Sequence, residues 1–173
     1  MEGRSIKLSG RTRLAFRAVN RRGAPGHVPG LQRHHLLPCQ LLAQGCFGKM
    51  FDAIGRLHIG FDDFRANGML LPAQEDAALR MALPMHRGPH RDYNDMVIER
   101  VGHIESCWSR KRASDPKMAR EHALMRLGLL QAALRKRLLD GARPFLLNRR
   151  DPSASKPDFT ELDALAEQLW HAT

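Results

Sequence analysis

Histidines concentrate in two short stretches of this 173-residue sequence. His34 and His35 are adjacent and precede Leu-Leu-Pro, and farther along His86 and His90 flank Arg-Gly-Pro. Imidazole titrates near neutral pH, so it can accept a proton or bind a divalent metal under ordinary conditions. Alone, a histidine in a loop is usually a surface residue. Two such pairs in one chain favour a site for catalysis or metal binding.

The elements around the first pair must allow both histidines to serve one site. Neighbouring side chains on a strand point to opposite faces, so His34 and His35 can share a site only at a strand end, which Pro38 supplies. Asn67-Gly68 is a turn signal, and the apolar run that follows it predicts a buried strand over about 68–71. We expect this strand to pair antiparallel with one over about 32–36.

The second pair lies just before a predicted helix. An apolar stripe predicts a helix over about 91–110, with His90 near its start, where free backbone N–H groups also favour phosphate. A second long helix is predicted between the cap Ser114-Asp115 and Asp140-Gly141. Its cations have two interpretations, contact with backbone phosphates or an ordinary solvated face; they are Arg126, Arg135, Lys136 and Arg137.

Between these stretches the pattern is structural. Residues 39–58 have helical apolar spacing, with Gly45 as a break. Asp62 and Asp63 lack partners at a useful spacing, so we interpret them as loop residues or a helix cap. Cys39, Cys46 and Cys107 lack the spacing of a disulfide framework or zinc knuckle, and we expect buried thiols in a reducing cytosol.

The charge indicates the kind of partner. The net charge is +10 with a pI near 10.5, which points to a polyanion, either nucleic acid or an acidic membrane surface. No apolar run approaches the length of about 18 residues that a membrane span requires. Charge indicates a partner and leaves the reaction open.

Three of these motifs occur together in a known family. The histidine pair after a short strand, the Asn-Gly before a second Leu-Leu-Pro strand, and His86-x-Gly-x-His90-x-x-Tyr93 opening a helix resemble the His-Me finger (ββα-metal, HNH/endonuclease VII-like) nucleases, most closely the AHH branch. The resemblance covers roughly residues 28–105. Arg33 stands where that motif has alanine, at a position without a chemical role.

The resemblance implies roles for individual residues. It implies that His35 is the general base and that the Asn67 side-chain oxygen holds one ring nitrogen of that histidine. It also implies that His34 and His90 hold one divalent metal ion. The ion is Mg²⁺, Mn²⁺, Zn²⁺ or Ni²⁺, which the sequence does not decide. The residues expected to contact the nucleic-acid backbone are His86, Arg87 and Arg91.

The predicted fold is α+β and mostly α-helical. A ββα-metal finger core, made of a short antiparallel hairpin and a helix, is wrapped by additional helices. Residues 1–29 are expected to be a basic flexible arm, 30–148 the nuclease domain with its flanking helices, and 149–173 a linker and an acidic helix that packs on the core. The flanks resemble no family.

The functional expectation is a metal-dependent endonuclease, acting on DNA more than on RNA, in the bacterial cytoplasm. AHH domains resemble modules of secreted bacterial toxins, which implies an acidic immunity protein as a partner; the chain starts at Met1 without a delivery domain, so we weigh a free-standing role equally. The alternative is a non-catalytic basic nucleic-acid-binding module whose histidines hold a structural metal. A closed structural zinc site needs four ligands, for which His34, His35, His86 and His90 would be available.

Overall fold

Two short antiparallel strands carry the first histidine pair. In the computed structural model, which describes residues 12–142, 145–147, 151, 164, 168 and 170, β1 spans Leu31–His35 and β2 spans Gly68–Pro72. The register pairs His35 with Gly68 and Leu31 with Pro72. Both strands therefore lie where the sequence predicted them. His34 and His35 occupy the last two positions of β1, where the chain leaves the sheet.

Gly68 is needed for close packing and not for a left-handed turn. Its backbone is extended, with φ at −114°. A side chain there would clash with the ring of Phe64, because an added Cβ would overlap the ring atoms. The Asn-Gly signal thus marks a point where β2 passes directly beneath an aromatic ring, at the end of a short helix.

Two long helices enclose the strand pair. α5 spans Arg91–Lys111 and α6 spans Pro116–Leu138, within about one residue of the prediction for α5. The carboxylate of Asp115 caps α6 by accepting from Met118 N–H at 2.9 Å, and Pro116 occupies the first turn, where its missing N–H costs nothing. The buried apolar residues of both helices join β2 and the segment 36–61 in one apolar core.

The predicted helical region 39–58 is more broken than its apolar spacing suggests. Two 3₁₀ turns, Cys39–Ala43 and Gly45–Phe47, precede α1 at Gly48–Ile54, and α2 follows at Arg56–Ile59. Gly55 separates the two helices with φ at +86°, a conformation that only glycine adopts readily. The remaining short helices are α3 at Phe64–Asn67, capped by the predicted carboxylate Asp63, and α4 at Glu75–Met81.

The cysteine prediction was wrong for two of the three residues. Cys39 and Cys46 are exposed, and Cys107 is partly buried. Both exposed cysteines lie in the 3₁₀ turns, where the larger residues Leu41 and Phe47 take the inward positions. Apolar character alone therefore did not decide which side chains were buried.

The segment 12–29 differs from the expected flexible arm. Ala15 forms a bridge with Asp63, and Leu14 accepts from Phe64 N–H at 2.7 Å. The physical reason is Phe16, whose buried ring anchors the segment against His35 and Phe64. Residues 1–11 lie outside the described residues, so for them the flexible arm stays a prediction.

The chain after α6 returns to the start of α5. Phe145 and Leu147 are buried, and the Phe145 ring lies 5.9 Å from that of Tyr93. The predicted acidic C-terminal helix falls almost entirely outside the described residues. No helix of the described part of the chain combines the length and apolarity needed to cross a membrane. The architecture is α+β and mostly helical, as predicted.

Candidate metal centre and active site

Three histidines from three parts of the fold converge on one point. His34 comes from β1, His86 from the loop between α4 and α5, and His90 from the residue that precedes α5. Each offers one ring nitrogen, and these nitrogens lie within 4.8 Å of one another. The ring centroids of His86 and His90 are 4.5 Å apart, and that of His34 is 5.1 and 5.6 Å from them. We call these residues the three-histidine cluster.

Each ring of the cluster offers one nitrogen that could bind a metal ion. His86 Nδ1 lies 2.9 Å from Gln32 Oε1, and His90 Nδ1 lies 3.3 Å from the backbone oxygen of Leu147. Because both partners are oxygen acceptors, they favour a proton on Nδ1 and leave the Nε2 lone pair free. In His34, only 3% exposed, Nε2 is buried and has no hydrogen-bond partner. A buried polar atom without a partner is costly, and a bound metal ion would satisfy it.

Burial keeps the cluster neutral. Desolvation lowers the pKa of His34 well below its usual value, and the neighbouring imidazoles lower it further. Desolvation, together with His90, lowers the pKa of His86 to about 4. The pKa of His90 is lowered too, mainly by burial, although its bond to Leu147 opposes the shift. Neutral imidazoles are the form that binds metal, so these histidines are ready to bind at neutral pH.

His35 lies outside the cluster in a different environment. Its ring stacks on Phe16, with centroids 3.7 Å apart and planes inclined by only 3°. Burial lowers the pKa of His35, while the nearby Asp62 carboxylate raises it and Arg33 lowers it. No hydrogen bond to either ring nitrogen of His35 is found within the part of the chain that the structure describes. The ring is thus held in plane by stacking and keeps its nitrogens available.

Asn67 does not hold the His35 ring. The Asn67 Oδ1 atom accepts from Leu37 N–H at 2.7 Å and from Gln131 Nε2 at 3.2 Å, which occupies both acceptor positions of a carbonyl oxygen. Its amide nitrogen donates to the backbone oxygens of Leu37 and Phe61. The side chain, 0% exposed, therefore fixes the backbone two residues after His35. The oxygen expected to orient the imidazole instead positions the turn that ends β1.

Tyr93 packs against His34 and helps to position it. Its buried hydroxyl donates to Leu36 O at 2.7 Å, and its ring centroid lies 5.0 Å from that of His34. Full burial raises the Tyr93 pKa beyond the usual range, so the hydroxyl stays a donor. The sequence motif contained this tyrosine, but its helical spacing indicated only a core position. Its second role, joining α5 to the histidine strand, follows from the fold.

The predicted backbone contacts divide into two groups. His86 lies in the three-histidine cluster, beside the predicted ligands His34 and His90, and not apart from them. Arg87 and Arg91 are exposed and immediately follow His86 and His90. They add two exposed positive charges directly after two histidines of the cluster in the chain. The predicted basic face of α6 has a structural part, since the Arg135 guanidinium donates to the backbone oxygens of Arg65, Ala66 and Gly68.

Sequence reasoning missed three supports of the cluster. These are Gln32, Leu147 and Asp151. The buried carboxylate of Asp151 accepts a hydrogen bond at 2.7 Å from the backbone N–H of Met85, the residue before His86. Gln32 lies two residues before His34 on the same strand face, which is a usable signal. Leu147 acts through its backbone and Asp151 through a distant loop, so neither leaves a local pattern in the sequence.

Comparison with known proteins agrees with this site. Residues 15–134 match the model of a family described as a nuclease family of the HNH/ENDO VII superfamily with conserved AHH. The chain belongs to this nuclease family. The match includes Phe16 and most of α6, beyond the 28–105 of the motif resemblance. No curated protein and no solved structure matches the chain.

Proposed function

We propose that the protein is a metal-dependent endonuclease that hydrolyses phosphodiester bonds of nucleic acid with His35 as general base. The observation that carries the proposal is the three-histidine cluster, with its partnerless His34 Nε2, next to a separately held imidazole. Three imidazoles around an open position are typical of a catalytic metal site, whereas closed structural sites have four ligands. The cluster therefore supports catalysis over the non-catalytic binding module.

The proposed metal ligands are His34, His86 and His90. A divalent cation bound there would offset charge that builds on the scissile phosphate and on the departing oxygen. Imidazole donors suit Zn²⁺ and Ni²⁺, whereas Mg²⁺ prefers oxygen donors. Among the four candidate ions, the three histidines therefore favour Zn²⁺ and Ni²⁺. The hydrogen bonds from the Nδ1 atoms to Gln32 and Leu147 orient two of the rings for this purpose.

His35 is proposed to take a proton from the attacking water. Its lowered pKa keeps the imidazole neutral, and hence able to accept a proton, at pH 7. Stacking on Phe16 fixes the ring plane, and Asn67 reaches the same strand end through Leu37. Arg87 and Arg91 are proposed to bind the phosphates that flank the cleaved bond, since both are exposed cations beside the cluster.

The identity of the substrate and the biological use are proposals from the sequence. We propose DNA, in preference to RNA, as the substrate. We also propose that the protein acts as a bacterial toxin nuclease and binds an acidic immunity protein. The net charge of +10 supports any polyanionic substrate and an acidic partner. Growth arrest on expression, relieved by His35→Ala, would support the toxin role.

Digestion of plasmid DNA and of RNA tests the activity. We expect cleavage with added Zn²⁺, Ni²⁺, Mn²⁺ or Mg²⁺ and no cleavage with EDTA. With every ion, we expect His35→Ala to cleave on the order of a hundredfold or more slowly than the wild type. The parallel RNA reaction tests the preference for DNA. If the wild-type protein cuts neither polymer with any of the four ions, although it binds the metal, the catalytic proposal fails and the binding module replaces it.

A further inference from the structure

A basic cavity lies at the C-terminal end of α5, away from the three-histidine cluster. It has a volume of about 660 Å³, and its walls come from α1, the end of α5 and the start of α6. Arg112, Lys117 and Arg120 line it together with the ring of Trp108. Among the residues that the structure describes, no acidic side chain lines this cavity. We call it the basic cavity.

The basic cavity is separate from the three-histidine cluster. His90 precedes α5, and Trp108 lies near the other end of this 21-residue helix. At 1.5 Å per residue, the two sites are separated by about 26 Å along the helix axis. This span corresponds to roughly 8 base pairs of duplex DNA.

Helix stability does not account for the cations on α6. Arg110, Lys111 and Arg112 end α5, where the helix dipole favours positive charge. Lys117 and Arg120 lie in the first turns of α6, where the dipole disfavours it, and no acid occupies the first turn. None of the ion pairs among the described residues involves Arg112, Lys117 or Arg120. Three cations that have no anionic partner in the described part of the chain and line one cavity indicate an anionic ligand.

A second, smaller cavity adjoins the first across Trp108. Its volume is about 270 Å³, and Lys111, His122 and Arg126 line it. The Nε atom of Arg126 is buried and has no hydrogen-bond partner. This orphaned donor is independent evidence for an anion, because a buried guanidinium N–H without an acceptor is costly.

Trp108 holds this surface in place. The Arg112 guanidinium lies 4.7 Å from the centroid of its ring, a cation–π contact that fixes the arginine in position. Trp108 itself is only 5% exposed, so its ring cannot stack on a base. The described lining of the basic cavity therefore offers positive charge and guanidinium donors to phosphates and no exposed aromatic ring on which a base could stack.

We propose that the basic cavity and its neighbour across Trp108 bind the phosphodiester backbone of the nucleic-acid substrate, as an exosite about 26 Å from the cleavage site. The inference rests on the proposed function in that it takes nucleic acid as the substrate. The exosite binds without regard to sequence. It strengthens the binding of substrates long enough to reach both sites, whereas a short substrate can occupy only one of the two sites at a time.

The test is the salt dependence of DNA binding, measured by fluorescence anisotropy with EDTA present to prevent cleavage. The variant is R112Q/K117Q/R120Q, and the control is R17Q/R21Q/R80Q, which removes three exposed cations outside α5 and α6. With a duplex of roughly 24 base pairs, losing three phosphate contacts should make the fall in affinity between 50 and 200 mM salt about 40-fold smaller. The control variant should match the wild type. On a duplex of roughly 6 base pairs, which can still bind at the cleavage site, R112Q/K117Q/R120Q should change the salt dependence less than it does on the long duplex.

A charge-preserving variant guards against an effect of folding. R112K/R120K should keep the wild-type salt dependence and melting temperature. An unchanged salt dependence in R112Q/K117Q/R120Q, an equal loss in the control, or a loss in R112K/R120K would each overturn the exosite. If the wild type cuts neither duplex when metal is added but the salt dependence changes as expected, the exosite stands and the endonuclease proposal fails.

Discussion

The buried carboxylate of Asp151 accepts a hydrogen bond from the backbone N–H of Met85, with Oδ2 and N 2.7 Å apart. Met85 precedes His86, so the bond fixes the loop that carries one histidine of the cluster. Nearby, Leu147 O accepts from His90, and Phe145 packs on Tyr93. Residues 145–151 follow the end of the family match at 134. The segment after α6 therefore supports the three-histidine cluster from outside the region that the family model matches.

Removing the Asp151 carboxylate should weaken metal binding without removing a ligand. Asp151→Ala leaves Met85 N–H buried without a partner and frees the loop, and we expect Zn²⁺ affinity to fall about 3- to 10-fold. Asp151→Asn keeps an oxygen acceptor and should retain most of the affinity. Isothermal titration calorimetry measures both. Equal affinities for Asp151→Ala and the wild type would mean that the loop keeps its position without this bond.

Asn67→Ala should be a stability mutant before it is an activity mutant. It removes the partners of the buried N–H and C=O of Leu37, and buried groups left unpaired cost about 1–3 kcal/mol each. We expect the free energy of unfolding to fall by roughly 3 kcal/mol in urea denaturation. Asn94→Ala is the matched control, because its amide bonds Gln40 at the surface and its loss should cost less than about 0.5 kcal/mol. Similar losses in both variants would contradict the positioning role.

The sequence predicted the parts of the site that have local patterns. The β1–β2 pair, α5 and α6 follow from apolar spacing and caps, and the convergence of His34 and His90 follows from the motif resemblance. The role of Asn67 was predicted wrongly, because one oxygen can satisfy either a ring nitrogen or a backbone N–H, and only the fold decides. Phe16 was missed as the partner of His35 because a single aromatic in a basic, glycine-rich segment has no periodicity.

Acid should destabilise the metal-free protein through the cluster. The pKa values of His34, His86 and His90 lie below the usual 6.5 in the fold, that of His86 at about 4. As the pH falls below about 6.5, the unfolded chain therefore binds protons before the folded one does. The contribution of the cluster to the free energy of unfolding is complete above that pH and decreases as the pH falls towards 4. Urea midpoints in EDTA at several pH values measure this. His86→Asn should reduce the dependence, and the exposed His122→Asn should not; an equal pH dependence in all three proteins would contradict the assignment.

Single histidine variants separate the general base from the metal ligands. His35→Ala should lower the cleavage rate on the order of a hundredfold or more while metal binding stays near that of the wild type, since His35 lies outside the cluster. His34→Ala should lose metal and activity together, because it removes the buried ligand atom.

His86→Ala decides the role of the residue that the sequence assigned to the substrate backbone. As a ligand it should lose metal as His34→Ala does, whereas as a phosphate contact it should keep the metal and raise KM. Metal content by atomic absorption, melting temperature and nicking rate are measured on each variant. If His35→Ala also loses its metal while His86→Ala keeps it, the two assignments must be exchanged.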